Sequence, residues 1–215
     1  MINNTKCYGI LTTRAGSMRL PDKNLMLCAG KPLVQWVADE CFKSMYLDAV
    51  YHISDSDELK SLLTNCRVID EPDEIAGDAV PILSVIKYAV GHIDCHDNDF
   101  IVWVDVSKPL TKFWHIDKVV RYAAANGLDS VFTTKPLRYY TPDDPAIVTQ
   151  LRGTRKELYF GAVRLRTAKT IRDAMDGTWG RSDRHADLCI CEDFEIDVDY
   201  LHDFIMAEAL LNAGY

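Results

Sequence analysis

The stretch DFIVWVDV (99–106) is the most apolar segment of the sequence, and it decides the fold class. A strand with nearly continuous apolar residues is buried on both faces, which is typical of a central strand in a parallel sheet. Helical patterns flank it on both sides, over 78–93 and over 115–126, and the second pattern ends at Gly127, a common C-terminal stop. The stretch therefore predicts the middle strand of an α/β sheet.

Strand-like and helical segments alternate outward from this stretch over most of the chain. We expect further strands at 7–13, 48–54, 67–70, 129–134, 158–165 and 194–198. We expect further helices at 32–42, 55–65, 167–175 and 200–212, an irregular segment at 135–157 and a polar, mobile loop at 176–187. This order predicts one domain over 1–215 with a three-layer α/β fold and a mostly parallel sheet.

The charge, hydropathy and cysteine content of the chain exclude several classes of protein. The formal net charge is −8, and a negative field repels nucleic acid backbones. No apolar run reaches the roughly 18 residues of a membrane span, and the N-terminus lacks the apolar core of a signal peptide. The seven cysteines are scattered without a CxxC pair, which is typical of reduced structural thiols. We therefore expect a cytoplasmic protein with no nucleic acid or membrane partner.

The segment RAGSMRLPDKN (14–24) follows the predicted strand at 7–13 and concentrates positive charge in an acidic chain. Its cations are Arg14, Arg19 and Lys23. Ligands of open α/β sheets bind beyond the carboxyl ends of the strands, where this loop would lie. Basic side chains and backbone N–H groups near Gly16 and Ser17 suit phosphate oxygens, although the segment matches neither GxxxxGK[ST] nor GxGxxG. The alternative is a solvated loop whose cations pair with surface acids.

The segment EDFEIDVD (192–199) holds five carboxylates in eight residues. Asp197 and Asp199 are two residues apart where a predicted strand meets a predicted helix, so both carboxylates can reach one cation. Mg²⁺ prefers oxygen ligands and usually keeps phosphate oxygens and waters in its shell. The pair predicts a Mg²⁺–triphosphate clamp opposite the basic loop. The alternative is an acidic helix start that stabilises the dipole of the final helix.

Asp105 lies near the end of the most apolar stretch, where an unpaired charge would be costly. Either the carboxylate has a partner, or it sits at the end of the strand and faces a cleft. The residues that follow, SKPL (107–110), favour the second interpretation.

Several segments together resemble a known family. The run TRAGSMRLPDKN (13–24), followed by AGKPL (29–33), resembles the opening signature of the sugar-acid cytidylyltransferases, and most of all the acylneuraminate (CMP-sialic acid) synthetases. Further segments that are similar to family motifs follow in the same order at 71–90, 102–110, 127–134, 158–165 and 196–211. The resemblance covers nearly the whole chain and implies a Rossmann-like nucleotidyltransferase fold.

The resemblance implies an Mg²⁺-dependent enzyme that joins CTP to an acidic 2-keto sugar and releases pyrophosphate, with surface polysaccharide synthesis as its setting. Carried over position by position, it implies that Arg14 and Lys23 are catalytic and stabilise charge on the triphosphate. The nucleotide-binding residues that it implies are Thr13, Ala15, Gly16, Ser17, Arg19, Asn24 and Asp78. The substrate-binding residues are Asp105, Ser107, Phe160 and Gly161, and the metal ligands are Asp197 and Asp199.

The chain departs from the family pattern at four positions. Met18, Glu71, Asp105 and Phe160 stand where the family has Lys, Arg, Gln and Asn. The segment 135–157 stands where the family has an insertion that forms a homodimer, and it is shorter here. These departures leave two alternatives open. One is a nucleotidyltransferase for another sugar or nucleotide, of the ketodeoxyoctonate or spore-coat type, and the other is a catalytically weak nucleotide-binding relative.

Overall fold

The computed structural model describes residues 2, 4–77, 79–136, 157–174, 182, 184–189 and 196–215, and it describes only the backbone at 135–136 and 157–160. Asp78, the side chain of Phe160 and the segment 137–156 lie outside this description. The predictions for them, including a dimer-forming insertion, therefore stay predictions. No helix among the described residues is long and apolar enough to cross a membrane.

Nine strands are present among the described residues. They are β1 (Cys7–Thr13), β2 (Leu27–Cys28), β3 (Lys31–Pro32), β4 (Ala49–Ser54), β5 (Arg67–Asp70), β6 (Phe100–Val104), β7 (Ser130–Pro136), β8 (Glu157–Thr167) and β9 (His185–Cys189). Seven of them form one sheet in the order β5-β4-β1-β6-β8-β7-β9. All neighbours in it are parallel except that β8 runs antiparallel to β6 and to β7. The predicted mostly parallel sheet is confirmed.

The described helices are α1 (Leu33–Lys43), α2 (Asp57–Leu62), α3 (Ile82–Gly91), α4 (Phe113–Asn126), α5 (Ala168–Arg172) and α6 (Leu201–Asn212). Buried side chains of α1 and α4 share one core cluster, whereas those of α3 and α5 share another. The two clusters lie on opposite faces of the sheet, which gives the predicted three layers. A third, smaller cluster joins α6 to Leu20 of the segment 14–24 and to Leu33 at the start of α1.

The alternation of side chains along β6 explains why its sequence is continuously apolar. Phe100, Val102 and Val104 pack into the cluster with α1 and α4, while Ile101 and Trp103 pack into the cluster with α3. All five residues are buried. The strand lies between β1 and β8 inside the sheet, as its composition predicts.

Three sequence-based segment boundaries differ from the structure. The predicted loop at 176–187 overlaps β9, because His185–Cys189 pairs in parallel with β7 and forms the edge of the sheet. Conversely, the described part of the predicted strand at 194–198 does not belong to a strand, and Val198 makes one backbone hydrogen bond, from its N–H to the carbonyl of Ser107. The segment 135–157 is also less irregular than predicted at its ends, since β7 continues to Pro136 and β8 begins at Glu157.

A small hairpin follows the basic loop, and the sequence analysis missed it. Strands β2 and β3 pair antiparallel around a two-residue turn at Ala29 and Gly30, whose φ angles are 48° and 88°. Positive φ at both central positions is typical of the tight hairpin turns that match the twist of the strands. The turn is tied to the C-terminal helix, because Ala29 N–H donates to Glu208 Oε1 at 3.2 Å.

Candidate active site

A cleft of about 530 Å³ opens beyond the carboxyl ends of β1 and β6. Its walls come from the basic loop at 14–24, from the segment that leaves β6 and from residues 197–199. The predicted site residues that line it are Thr13, Arg14, Ser17, Arg19, Lys23, Asn24, Asp105, Ser107, Asp197 and Asp199. Segments that are far apart in sequence thus meet at one edge of the sheet. The parallel topology predicts this for the segments that follow β1 and β6.

The start of the basic loop is fixed by one buried contact and one exposed contact. The Thr13 hydroxyl lies 2.6 Å from His52 Nε2, and burial lowers the pKa of His52 to about 4, with a smaller contribution from Lys60. The Ala15 N–H donates to Asp55 Oδ1 at 2.8 Å, and the next residue, Gly16, has a φ of 71°, which favours glycine. The loop therefore leaves the strand along a defined path.

Asn24 lies at the other end of the loop and is buried. Its carbonyl oxygen accepts a hydrogen bond from the N–H of Val34 at 3.3 Å, which joins the loop to α1. Among the described residues, its side-chain oxygen Oδ1 is buried and has no hydrogen-bond partner. Such an acceptor beside a cleft is suited to a donor on a ligand, because a buried polar atom without a partner is costly.

Two cations of the basic loop converge on Asp199. Arg19 Nη1 lies 2.7 Å from Asp199 Oδ2, and Lys23 Nζ lies 3.3 Å from Asp199 Oδ1. Lys23 also donates to the carbonyl oxygen of Val198 at 2.7 Å. One carboxylate therefore faces two positive charges.

Asp105, Asp197 and Lys108 form a second charged cluster in the cleft. Lys108 Nζ lies 2.7 Å from Asp105 Oδ2 and 2.6 Å from Asp197 Oδ2. Burial alone would lower the pKa of Lys108, but the two carboxylates outweigh it and the pKa is raised. Burial opposes the ionisation of Asp105, but Lys108 and Ser107 outweigh it and the pKa of Asp105 is lowered. Both interpretations of Asp105 thus hold, because it has a partner and also lines the cleft.

Ser107 links the same two aspartates. Its hydroxyl lies 2.6 Å from Asp105 Oδ1 and 2.7 Å from Asp197 Oδ1, and its N–H donates to Asp105 Oδ1 at 3.0 Å. The predicted substrate-binding residue Gly161 lies on β8. The carbonyl oxygen of the next residue, Ala162, accepts a hydrogen bond from the backbone N–H of Asp105 at 2.9 Å. Asp105, which follows β6, is therefore held by Ser107 and by β8.

Glu71 also lines the cleft, although the sequence analysis noted it only as a departure from the family pattern. Burial raises the pKa of its carboxyl to about 7, Asp55 adds to the rise and Arg14 opposes it. Lys108 was likewise not assigned to the site. The signal for it was its spacing of three residues after Asp105.

The side chains of the cleft fit a Mg²⁺–polyphosphate better than a metal held by protein alone. Carboxylates such as Asp197 and Asp199 are the oxygen ligands that Mg²⁺ prefers, and Mg²⁺ in nucleotide sites takes one or two of them with phosphate oxygens. Among the described residues, no group of three or more His, Cys, Asp or Glu side chains is arranged to hold a metal ion. Phosphate oxygens would have to complete the coordination shell.

Comparison with known proteins agrees with this geometry. The sequence profile of a family described as "Cytidylyltransferase" matches residues 8–164. The chain belongs to the cytidylyltransferase family. The matched residues include the basic loop and the Asp105–Lys108 segment of this cytidylyltransferase, whereas Asp197 and Asp199 lie beyond the match.

Curated relatives of this cytidylyltransferase act on sugar acids, according to their names. The chain is 26% identical to an N-acylneuraminate cytidylyltransferase of Streptococcus agalactiae over 91% of its own length and 51% of the relative. It is 30% identical to 3-deoxy-manno-octulosonate cytidylyltransferase 2 of Hydrogenovibrio crunogenus over 72% of its length and 64% of the relative. The chain thus spans about half the length of the acylneuraminate relatives that it matches.

Solved structures confirm the fold. A CMP:2-keto-3-deoxy-manno-octonic acid synthetase complexed with CTP superposes with a TM-score of 0.77 at 12% identity and covers 98% of this chain and 100% of that one. A 4-diphosphocytidyl-2C-methyl-D-erythritol synthase from Anaerococcus prevotii superposes with a TM-score of 0.68 at 13% identity and covers 96% of both chains. The Rossmann-like nucleotidyltransferase fold that the sequence implies is therefore correct.

Proposed function

We propose that this protein transfers a cytidylyl group from CTP to an acidic 2-keto sugar and releases pyrophosphate. The observation that carries the proposal is the meeting of Arg19 and Lys23 with Asp199 in one cleft, across about four-fifths of the chain. Such a set of charges suits a polyphosphate with a bound cation, because each group can find a partner of opposite charge there.

The chemistry needs positioning and charge neutralisation more than a covalent intermediate. The sugar hydroxyl oxygen forms a bond to the α-phosphorus of CTP, and the bond from that phosphorus to the bridging oxygen of the β-phosphate breaks. Pyrophosphate leaves with the electron pair, and the hydroxyl proton is released to solvent. A group that neutralises the leaving pyrophosphate therefore lowers the barrier.

Arg14, Arg19 and Lys23 are the groups that would neutralise the triphosphate. In the free protein, Arg19 and Lys23 pair with Asp199. When phosphate oxygens enter, the two cations would turn to them, and the Asp199 carboxylate becomes available for Mg²⁺. The metal, when bound, supplies positive charge that offsets the phosphate oxygens, with Asp199 and, as predicted, Asp197 as its protein ligands.

The sugar class follows from the names of the relatives, which are acylneuraminate and octulosonate cytidylyltransferases. Both names describe acidic keto sugars. Asp105, Ser107, Phe160 and Gly161 remain the predicted sugar contacts. In the described cluster the charge of Asp105 is offset by Lys108, so this carboxylate repels an acidic substrate less than an unpaired one would.

Pyrophosphate release measured with each of the four nucleoside triphosphates and a panel of 2-keto sugar acids tests the proposal. We expect release only with CTP, with a nonulosonate such as N-acetylneuraminate, and only when Mg²⁺ is present. Release with another nucleotide, or with an octulosonate alone, would establish the corresponding alternative. Saturable CTP binding without release across the panel would identify a catalytically weak relative.

Three further parts of the proposal concern the whole protein. A cytoplasmic location, a homodimer and a role in surface polysaccharide synthesis stay predictions. Size-exclusion chromatography with light scattering tests the dimer directly, and a monomeric mass would remove it from the proposal.

A further inference from the structure

The Lys108 ammonium lies between two carboxylates that line the cleft. Its side chain is 6% exposed, and it contacts Asp105 at 2.7 Å and Asp197 at 2.6 Å. We propose that Lys108 is a built-in cation that fills the space between Asp105 and Asp197 and keeps a divalent ion out of it. The cleft then takes a single divalent ion, at the Asp199 side.

The space between these aspartates has the oxygen atoms that a divalent ion would use. Asp105 and Asp197 each direct one oxygen to Lys108 and the other to the Ser107 hydroxyl. Without the lysine, two carboxylates and a hydroxyl would face one another, and hard divalent ions take such oxygen ligands. An ammonium group and a divalent ion cannot share this position, because they repel each other and need the same oxygens.

Ser107 cannot offset the two carboxylates without the lysine. A hydroxyl carries one hydrogen, so it donates to one carboxylate oxygen at a time, although it lies close to both. An ammonium group carries three hydrogens and a full positive charge, so Lys108 can serve both aspartates at once. The lysine is therefore the group that offsets the charge of the mostly buried Asp105 and its repulsion from Asp197.

The cations of the two charged clusters differ in how freely they can change partners. Arg19 is more than half exposed and Lys23 lies beside the open cleft, so both can move from Asp199 to phosphate oxygens. Lys108 is buried and three residues from Asp105, so it has no comparable freedom. One cluster is thus suited to exchange its cations for a ligand, and the other holds its cation in place.

Mn²⁺ binding in the absence of nucleotide tests the inference. The variant is Lys108→Met, which keeps an unbranched apolar side chain and removes the charge. We expect it to bind one Mn²⁺ per chain more than the wild type, at least ~10-fold more tightly than any wild-type site without nucleotide, by electron paramagnetic resonance of free Mn²⁺. The double variant Lys108→Met/Asp105→Asn should lose this added site, because Asp105 is the carboxylate of the pair that is not a proposed ligand of the metal at Asp199.

Lys60→Met is the matched control. Lys60 also bridges two aspartates, Asp57 and Asp70, but their side chains face solvent, so the same change of charge should create no tight site. An unchanged Mn²⁺ count in folded Lys108→Met, or an equal gain in Lys60→Met, would overturn the inference. Circular dichroism establishes that each variant is folded before Mn²⁺ is counted.

Counting Mn²⁺ bound to the wild type with CTP tests the inference even if Lys108→Met does not fold. With saturating CTP and no sugar, we expect one Mn²⁺ per bound nucleotide, and a second would contradict a permanently filled position. The inference rests on the proposed function only for the nucleotide-bound count. If CTP neither binds nor turns over, the proposed function fails, while the nucleotide-free comparison of the variants still decides the role of Lys108.

Discussion

Lys60 and Lys108 each bridge two aspartates, and in both cases one aspartate lies three residues before the lysine. Lys60 contacts Asp57 and Asp70 at 2.7 Å each, and their side chains are 98% and 85% exposed. Exposed ion pairs of this kind contribute little to stability, because water and salt screen them and long side chains lose entropy in forming them.

The Lys108 bridge has the same spacing and nearly the same distances, but its lysine is buried and its aspartates are less exposed than those of the Lys60 bridge. Lys108 is 6% exposed, Asp105 is 19% exposed and Asp197 is 45% exposed. Removing one partner of a buried pair leaves a charge without compensation, whereas on the surface water replaces the partner. The comparison teaches that sequence spacing identifies an ion pair, while burial decides whether the pair matters.

The largest expected effect concerns an aspartate outside both bridges. Asp199→Asn should lower turnover by about 10³-fold, because the carboxylate proposed to hold the metal loses its charge. The free energy of unfolding should change little, since Asp199 faces the cleft. Steady-state pyrophosphate release and urea unfolding measure the two quantities, with Asp70→Asn from the surface bridge as control. Near-normal turnover at saturating Mg²⁺ would remove Asp199 from the metal site.

Breaking the two bridges in parallel tests the comparison itself. Lys108→Met should lower the free energy of unfolding at pH 7 by about 3–5 kcal/mol, because two carboxylates lose their buried cation. Lys60→Met should cost far less. Urea unfolding of both variants under identical conditions measures the difference, and equal losses would show that burial does not distinguish the bridges.

Lys23→Ala extends the comparison to a lysine that is proposed to change partners. We expect the rate to fall by at least ~10²-fold, which corresponds to about 2.7 kcal/mol of transition-state stabilisation. The reason is that the proposed role of Lys23 is to neutralise the triphosphate. Turnover against CTP and sugar concentration is the measurement. A change confined to the KM for the sugar would contradict the assignment to the triphosphate.

Mild acid should narrow the stability difference between Lys108→Met and the wild type. In the wild type the pKa of Asp105 is lowered, so its contribution to stability is still present at pH 5 and is lost only in stronger acid, as the pH falls through the folded-state pKa. Without the lysine, its charge no longer outweighs burial, so protonation of Asp105 should relieve part of the loss in the variant. Urea unfolding at pH 7, 6 and 5 decides, and a parallel decline in both proteins would refute the prediction.

The pKa of Glu71 is raised, whereas that of Asp105 in the same cleft is lowered. The expected effect of changing Glu71 on CTP affinity is the smallest of these predictions. Because the pKa of Glu71 is raised to about 7, mainly by burial, its carboxyl gains a negative charge between pH 6 and pH 8. CTP affinity should therefore fall a few-fold more over this range in the wild type than in Glu71→Gln. Isothermal titration at both pH values measures it, and identical pH dependence of the two proteins would exclude Glu71 from the nucleotide site.

The sequence predicts the fold well where burial alone determines the pattern. The continuous apolarity of 99–106 correctly indicates β6 inside the sheet, since both faces of that strand pack against helices. The prediction fails at β9, because His185–Cys189 is a half-buried edge strand with mixed polarity. It fails again in the described part of the predicted strand 194–198. There the Asp197 side chain contacts Ser107 and Lys108, and the Val198 N–H donates to the carbonyl of Ser107, but no strand forms.

The candidate site is predictable in outline and not in detail. Parallel topology is enough to bring the basic loop and the segment after β6 to the same edge of the sheet. Asp199 follows no described strand, and its segment reaches this edge through the hydrogen bond from Val198 N–H to the carbonyl of Ser107.

The partner of Asp105 cannot be predicted from the sequence in the same way. Lys108 lies three residues after Asp105, but the same spacing between Asp57 and Lys60 gives a pair on the surface. Only the contact with Asp197, 89 residues away along the chain, shows that this lysine belongs to the cleft.

The contact between Lys23 and the backbone of Val198 joins residues 175 positions apart. During synthesis the basic loop therefore leaves the ribosome long before the aspartates that face it. A nascent chain can pair β1 with β4 and β6 while this half of the cleft is still missing, so its loop cations lack the Asp199 carboxylate that Arg19 and Lys23 contact in the folded protein. The cleft would therefore be completed in a late step, when α6 docks on the hairpin.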